Sequence, residues 1–348
     1  MQPSLRALFT LVFLLTPGTT RPDHPVRDWP LNPQPLLRLD TMGDLPLFVP
    51  SIAAISPQGY WIIHDWKRHE NFILDPQGNL VSRFGRKGEG PGEVLWQEQV
   101  VFNRDIRILD SARNAIHIFS SQGRYLKTHV FPPGFPHIQH MTGDRSCLAW
   151  PDTPPLTLTL VSLPSNSRTL ITELAEESGI RLEQTLDSGK RMAIIIPGIT
   201  PRVLVAADPH SGSFFFGNAS RPLISRMTPL GVVDRRIPLP RPVIPVTGAM
   251  LQELYKEIPL PESMRRQLRR AHLNACSHLE IVDDLLVVYG AGFGDDWPCL
   301  ELDFFSRGGQ HLGHSIFWPP EGSRLHSTPN YPPLLRRGCL YVALEDTF

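Results

Sequence analysis

A chain of 348 residues with 34 basic and 34 acidic side chains carries no formal net charge at pH 7, so it lacks the basic surface that nucleic-acid binding requires. Its 36 prolines and 26 glycines, with 41% hydrophobic residues, fit a globular all-β chain with many turns.

The N-terminus reads as an export signal. Arg6 supplies a positive start, and Ala7 to Leu15 form a nine-residue apolar core, too short to span a bilayer as a helix. Pro17-Gly18 breaks it, and Gly18-Thr19-Thr20 stands where a small-residue cleavage site is expected. Residues 1–20 are therefore expected to be a leader, residues 21–34 a linker and residues 35–348 the folded domain, exported to the periplasm or the cell exterior, with no membrane span once the leader is gone. No cysteine precedes Cys147, which excludes a lipid-anchoring cysteine beside this leader.

From Ile52 the chain shows short strands divided by turn residues. Ile52–Ile55, Tyr60–Ile63, Glu70–Leu74 and Asn79–Phe84 are apolar or alternating runs, and Ser56-Pro-Gln-Gly59 and Asp75-Pro-Gln-Gly78 are turns with proline and glycine at the favoured positions. The same order returns in Val100–Phe102, Ile106–Leu109, Ala115–Phe119 and Tyr125–Val130, with Ser120-Ser-Gln-Gly123 as its turn. Gly78 and Gly123 are 45 residues apart, as are Asp65 and Asp110. Four strands at that period make a propeller blade.

Weaker repeats follow at 146–172, 202–237 and 279–317, and a sixth begins at Cys339–Ala343. The fold class expected is thus all-β, a six-bladed β-propeller of four-stranded antiparallel blades. Open blade edges pair promiscuously, so residues 35–40 are expected to pair with 339–343 and close the last blade, which still falls one strand short. Insertions are expected near 175–200, with a helical-looking start at Ala175-Glu-Glu-Ser178, and near 240–275. In the second, Ser263 would cap a helix bearing Arg265, Arg266, Arg269 and Arg270 on a solvated face.

The run Asp75-Pro-Gln-Gly-Asn-Leu, followed by Phe84-Gly-Arg-Lys-Gly-Glu-Gly-Pro-Gly-Glu93 and Ile108-Leu-Asp-Ser-Ala-Arg-Asn114, resembles exported bacterial six-bladed β-propeller proteins related to NHL repeats. The resemblance is carried by residues 50–130. It implies a fold and a compartment; propellers of the NHL type include interaction modules and a few lyases and lactonase-like hydrolases.

Two sets of residues could carry function. Gly85, Arg86, Lys87, Gly88, Gly90, Gly92 and Glu93 could cradle an anion with successive backbone N–H groups. The other reading makes this loop a crossover between blades, with Gly90 holding an unusual backbone angle and Glu89 and Glu93 binding local N–H groups or Arg86. No phosphate-loop ending follows it.

The second set ends the second strands: His64, Asp65, Asp110, Asn218 and Asp346, with Asp152, Asp295 and Asp296 at related positions. Carboxylates and imidazole at a channel mouth could bind a divalent cation or a polar ligand. The competing reading has each cap its own turn. His117, His129, His137 and His140 show no ligand spacing and read as ordinary histidines. Cys147, Cys276, Cys299 and Cys339 match no zinc pattern; Cys276–Cys299 is the disulfide pairing that the flanks of the fifth repeat favour.

No nucleophile motif is present. The function expected is a monomeric binding or interaction scaffold for a protein, peptide or small-molecule partner. It would have no nucleic-acid partner and no cofactor beyond a divalent cation. The alternative is a metal-assisted hydrolase or lyase at the channel mouth.

Overall fold

The computed structural model describes residues 50–142 without a break and, with short breaks, 146–174, 203–252, 275–290 and 299–326, beside shorter segments at either end. The chain divides into two compact units, residues 1–19, 30–176 and 319–348 in one and residues 20–29 and 177–318 in the other.

In chain order, the N-terminal strands are β1 (Leu8–Leu14), β2 (Arg27–Asp28), β3 (Arg38–Leu39), β4 (Thr41–Met42) and β5 (Leu45–Pro46). The first meander is β6 (Pro50–Ile55), β7 (Trp61–Asp65), β8 (Glu70–Leu74) and β9 (Leu80–Phe84), paired antiparallel in that order. β10 (Gln97–Phe102), β11 (Ile106–Asp110), β12 (Ala115–Phe119) and β13 (Tyr125–Val130) repeat it. So do β14 (Ile138–Met141), β15 (Ser146–Ala149), β16 (Leu156–Ser162) and β17 (Ser167–Leu174). Inner strands are buried on both faces and outer strands are not, since Ile62, Ile63 and Ile73 have no exposure whereas β13 is largely open. Each such isoleucine stabilises the unit by about 1.5–3 kcal/mol. Phe84 of the first meander meets Phe119 of the second at 5.0 Å, so adjacent sheets share one core.

In the second unit, β18 (Leu182–Thr185) and β19 (Arg191–Ile194) form a hairpin. The described part of the insertion expected at 175–200 is this hairpin; its helical-looking start, Ala175 to Ser178, lies outside the described residues. β20 (Val203–Ala207), β21 (Phe214–Asn218), β22 (Leu223–Met227) and β23 (Val233–Pro238) make a fourth meander. Of the expected helix near 240–275, Ser263, Arg265, Arg269 and Arg270 lie outside the described residues, and no helix is complete enough there to stand as an element. The fifth meander is β24 (His278–Val282), β25 (Leu285–Tyr289), β26 (Leu300–Ser306) and β27 (His311–Phe317), with β2 added parallel to β27.

Back in the first unit, β28 (Ser323–His326), β29 (Leu334–Arg336) and β30 (Cys339–Asp346) form a sixth sheet with β1 and β3, in the order β28-β30-β1-β3 with β29 also on β30. This corrects the expected closure. β3 does not pair with β30; Leu8–Leu14 stands between them, antiparallel to both. Among the described residues, five sheets thus carry the four-stranded repeat, and a sixth is assembled from segments near both ends of the chain.

Candidate functional site

The turn after β7 and the crossover from β9 to β10 lie at one end of the first two meanders. In the β7–β8 turn, Asp65 accepts from the N–H groups of Lys67 and Arg68 at 3.0 and 3.2 Å, with Arg68 Nε at 3.8 Å. His69 closes the turn in the left-handed region, φ 51°. The next repeat shares two of these features 45 residues on: Arg113 Nε stands 3.9 Å from Asp110, and Asn114 has φ 47°.

Asp110 also reaches back to the crossover, accepting from Leu95 N–H at 2.9 Å and Trp96 N–H at 3.1 Å, with His117 Nε2 at 3.3 Å. Burial pushes its carboxyl up, but those hydrogen bonds outweigh it and hold Asp110 below the ordinary carboxylate value.

The glycine-rich loop is tied to itself. Glu93 accepts from Gly90 N–H at 2.8 Å and from Arg86 Nε at 2.8 Å, which keep its carboxyl below the ordinary value. Arg113 donates to the Gly88 carbonyl at 2.9 Å, and Val94 N–H to that of Arg86 at 3.0 Å. The left-handed angles fall on Gly85 (φ 65°) and Gly92 (φ 78°), whereas Gly90 is not among the positive-φ glycines, contrary to the expectation for that position. A Cβ on Gly92 would meet the Tyr125 side chain at 3.0–3.2 Å. Lys87 forms a backbone bridge with Val94.

Between the turn and the crossover lies a pocket lined by His64, Trp66, His69, Gly85, Val94, Leu95, Trp96 and Gln97. It holds about 260 Å³ of empty space, including the part open to solvent. Trp96 is 50% exposed; its ring centroid is 6.2 Å from that of Trp66, tilted by 57°. Trp66 donates from Nε1 to Ser51 Oγ at 3.0 Å and sits edge-on to the His64 ring at 4.8 Å. His64 Nδ1 is 3.2 Å from Asn71 Oδ1, and the Asn71 and Gln97 amides bond reciprocally at 2.9 and 3.0 Å.

Burial pushes the His64 imidazole down to about 4, against a smaller upward pull from Asn71. Burial, then Lys87, also lowers His69. Both rings lining the pocket are neutral at pH 7.

Of the predicted channel-mouth set, His64, Asp65 and Asp110 come to this end of the first unit, but only His64 lines the pocket. Asn218 lies in the second unit and accepts from Ser220 N–H and Oγ at 3.0 and 2.8 Å, capping its own turn. The backbone of Asp346 pairs with Ser323, and its side chain lies outside the described residues, as do Asp152, Asp295 and Asp296. Among the described residues, no three His, Cys, Asp or Glu side chains group as a metal ion would need. Cys276 and Cys299, the favoured disulfide pair, are free thiols, as is Cys147, whose thiol burial pushes up to about 12. Sequence reasoning missed Trp66, His69, Trp96 and Gln97. The available signal was an aromatic residue directly after the repeated aspartate and another at the end of the glycine loop.

Residues 37–157 match the profile of a family described as 6-bladed beta-propeller, DUF5128. No curated protein matches the chain. A DUF4221 family member from Bacteroides vulgatus is similar in structure over 98% of this chain and 99% of its own, at 9% identity and a TM-score of 0.51. A candidate exported protein of Bacteroides fragilis aligns over 97% of this chain and 95% of its own, at 10% identity and a TM-score of 0.44. A streptogramin B lyase aligns over 88% and 95%, at 11% identity and a TM-score of 0.42. No helix among the described residues is long and apolar enough to cross a membrane. The chain is an all-β propeller protein that resembles, over residues 37–157, the six-bladed DUF5128 family.

Proposed function

We propose that this protein is an exported, monomeric six-bladed propeller that serves as a binding scaffold, with its ligand seat between the β7–β8 turn and the β9–β10 crossover. The sixth sheet is taken as the sixth blade. The ligand chemistry is an uncharged ring stacked on Trp96.

The observation that supports this most is the half-exposed Trp96 beside a pocket whose two histidines are neutral at pH 7. Indole faces favour flat or CH-rich rings, and the polar edge of His69 would orient one. Asn71 and Ser51, hydrogen-bonded to the lining residues Gln97 and Trp66, hold these side chains in place, which lowers the ordering cost of binding.

The scaffold reading is favoured over the hydrolase or lyase reading by the carboxylates. Asp65 is engaged by backbone N–H groups of its own turn and Asp110 by those of the β9–β10 crossover, which leaves both ill-suited to proton transfer.

The test is titration of the purified protein with methyl glucoside, cellobiose, indole and a tripeptide bearing a central phenylalanine, followed by tryptophan fluorescence. Saturable quenching by the sugars alone assigns a pyranose, and by indole and the peptide alone an aromatic side chain. No saturable response to any of the four refutes the ring seat.

A further inference from the structure

The sixth sheet contains a strand position whose occupant need not belong to the domain. β30 is its centre. On one edge it pairs with β28 through residues 343–346 and with β29 through 339–341. On the other edge it pairs with β1 over seven consecutive residues, from Leu8 opposite Glu345 to Leu14 opposite Cys339. Leu340, Val342 and Leu344 are buried, so β30 has one face committed to the core. Tyr341 meets Trp61 of β7 edge-on at 5.2 Å, which fixes the sheet against the first meander.

The sequence β28-β30-β1-β3 is antiparallel throughout, as in the other blades. Leu8–Leu14 is thus the third strand of a four-stranded blade, the one strand that the repeats left wanting. The same residues are the apolar core of the expected leader. If the leader is removed, β30 loses its neighbour over seven residues, and a bare edge of that length recruits a strand.

β3 is a poor replacement. It is antiparallel to β1, so it runs parallel to β30, against the antiparallel order of the blade. Its strand is only Arg38 and Leu39, and the next residues fold back at once, Thr41–Met42 on Leu45–Pro46.

We propose that the edge of β30 opposite β28, where β1 now stands, is a strand-acceptor site. Once the leader is removed, it takes an extended, uncharged apolar segment of another polypeptide, antiparallel to β30, by main-chain pairing. This rests on the sheet and on the removal of the leader that export implies, and is independent of the ring pocket.

The test uses the full chain with a protease site placed at residues 21–24. After cutting, native mass spectrometry should find the N-terminal fragment still bound. An excess of a synthetic peptide of residues 7–15, made soluble by a C-terminal lysine tail, should displace it, whereas a peptide of the same composition with a central proline should not. Amide exchange in 339–345 should stay slow with either partner bound and quicken by at least tenfold with the proline peptide after the fragment is removed, while β10–β12 stay protected. Immediate loss of the fragment with 339–345 still protected would overturn the proposal, because residues 35–40 or another segment of the domain would then fill the position. The Leu11→Pro variant of the uncut chain gives a second reading: fast exchange in 339–345 with β10–β12 intact supports the site, and unchanged exchange overturns it.

Discussion

Asn71 of β8 and Gln97 of β10 exchange two amide hydrogen bonds, at 2.9 and 3.0 Å, across adjacent sheets in a buried setting. Gly85 packs against the same amide, since a Cβ there would stand 2.9 Å from Asn71 Nδ2. The pair joins two blades, and Gln97 lines the pocket. Asn71→Ala should destabilise the fold by about 2–4 kcal/mol, since two buried hydrogen bonds are lost. Urea melts of Asn71→Ala, Gln97→Ala and the double variant should give a coupling energy above about 1 kcal/mol; additive losses would mean that the two amides act independently.

The buried His64 makes stability depend on pH. Its imidazole titrates near 4 in the folded state and near the ordinary value of 6.5 when unfolded. Above 6.5 both states are neutral and the group adds no slope. As the pH falls from 6.5 to 4, the unfolded chain takes up the proton first, so stability drops by up to about 3 kcal/mol. Asp110, held below the ordinary carboxylate value, adds its loss only at still more acid pH. Melting temperatures from pH 8 to 4 should fall in the wild type and fall less in His64→Gln; parallel curves would contradict this.

In the glycine loop, Gly92, like Gly85, occupies a position that needs a glycine. Its left-handed φ and its contact with Tyr125 make Gly92→Ala costly, by about 1–3 kcal/mol. Gly90→Ala should cost less than about 1 kcal/mol, since its φ is not positive and only the end of the Glu93 side chain stands near, at 3.1 Å. Thermal melts of the two variants check the order, and a larger loss for Gly90→Ala would reverse it.

In the second unit, Arg241 bonds Asp303 through Nε and Nη2, both at 2.7 Å, and Glu301 through Nη1 at 2.9 Å. Asp303 is 5% exposed and is further bonded by His311 at 3.1 Å. Arg241→Ala leaves that carboxylate with one partner fewer and should cost about 3–5 kcal/mol by denaturant unfolding. A loss under 1 kcal/mol would show the pair to be solvated.

The repeat was legible because its turns repeat in chemistry as well as in spacing. Asp65 and Asp110, Arg68 and Arg113, and His69 and Asn114 each lie 45 residues apart and occupy equivalent places. The sixth sheet was not legible, because its strands come from opposite ends of the chain and period alone does not say which segments meet. Leu8–Leu14 has the apolar run of a leader and of a buried strand, two readings that local pattern does not separate. The pocket was missed for a related reason. Its Trp66 and Trp96 are 30 residues apart and meet only when the first two blades pack.

The most direct test of the ligand seat is isothermal calorimetry with the tightest-binding ring compound from the fluorescence panel, on the wild type, Trp96→Ala and His69→Asn. His69→Asn keeps a residue suited to the left-handed turn, and Trp96 is half exposed, so both variants should melt within about 2 °C of the wild type. The account predicts at least tenfold weaker binding in each variant with the ligand recovered unchanged. Equal affinity in all three proteins, or conversion of the ligand to a product, would contradict it.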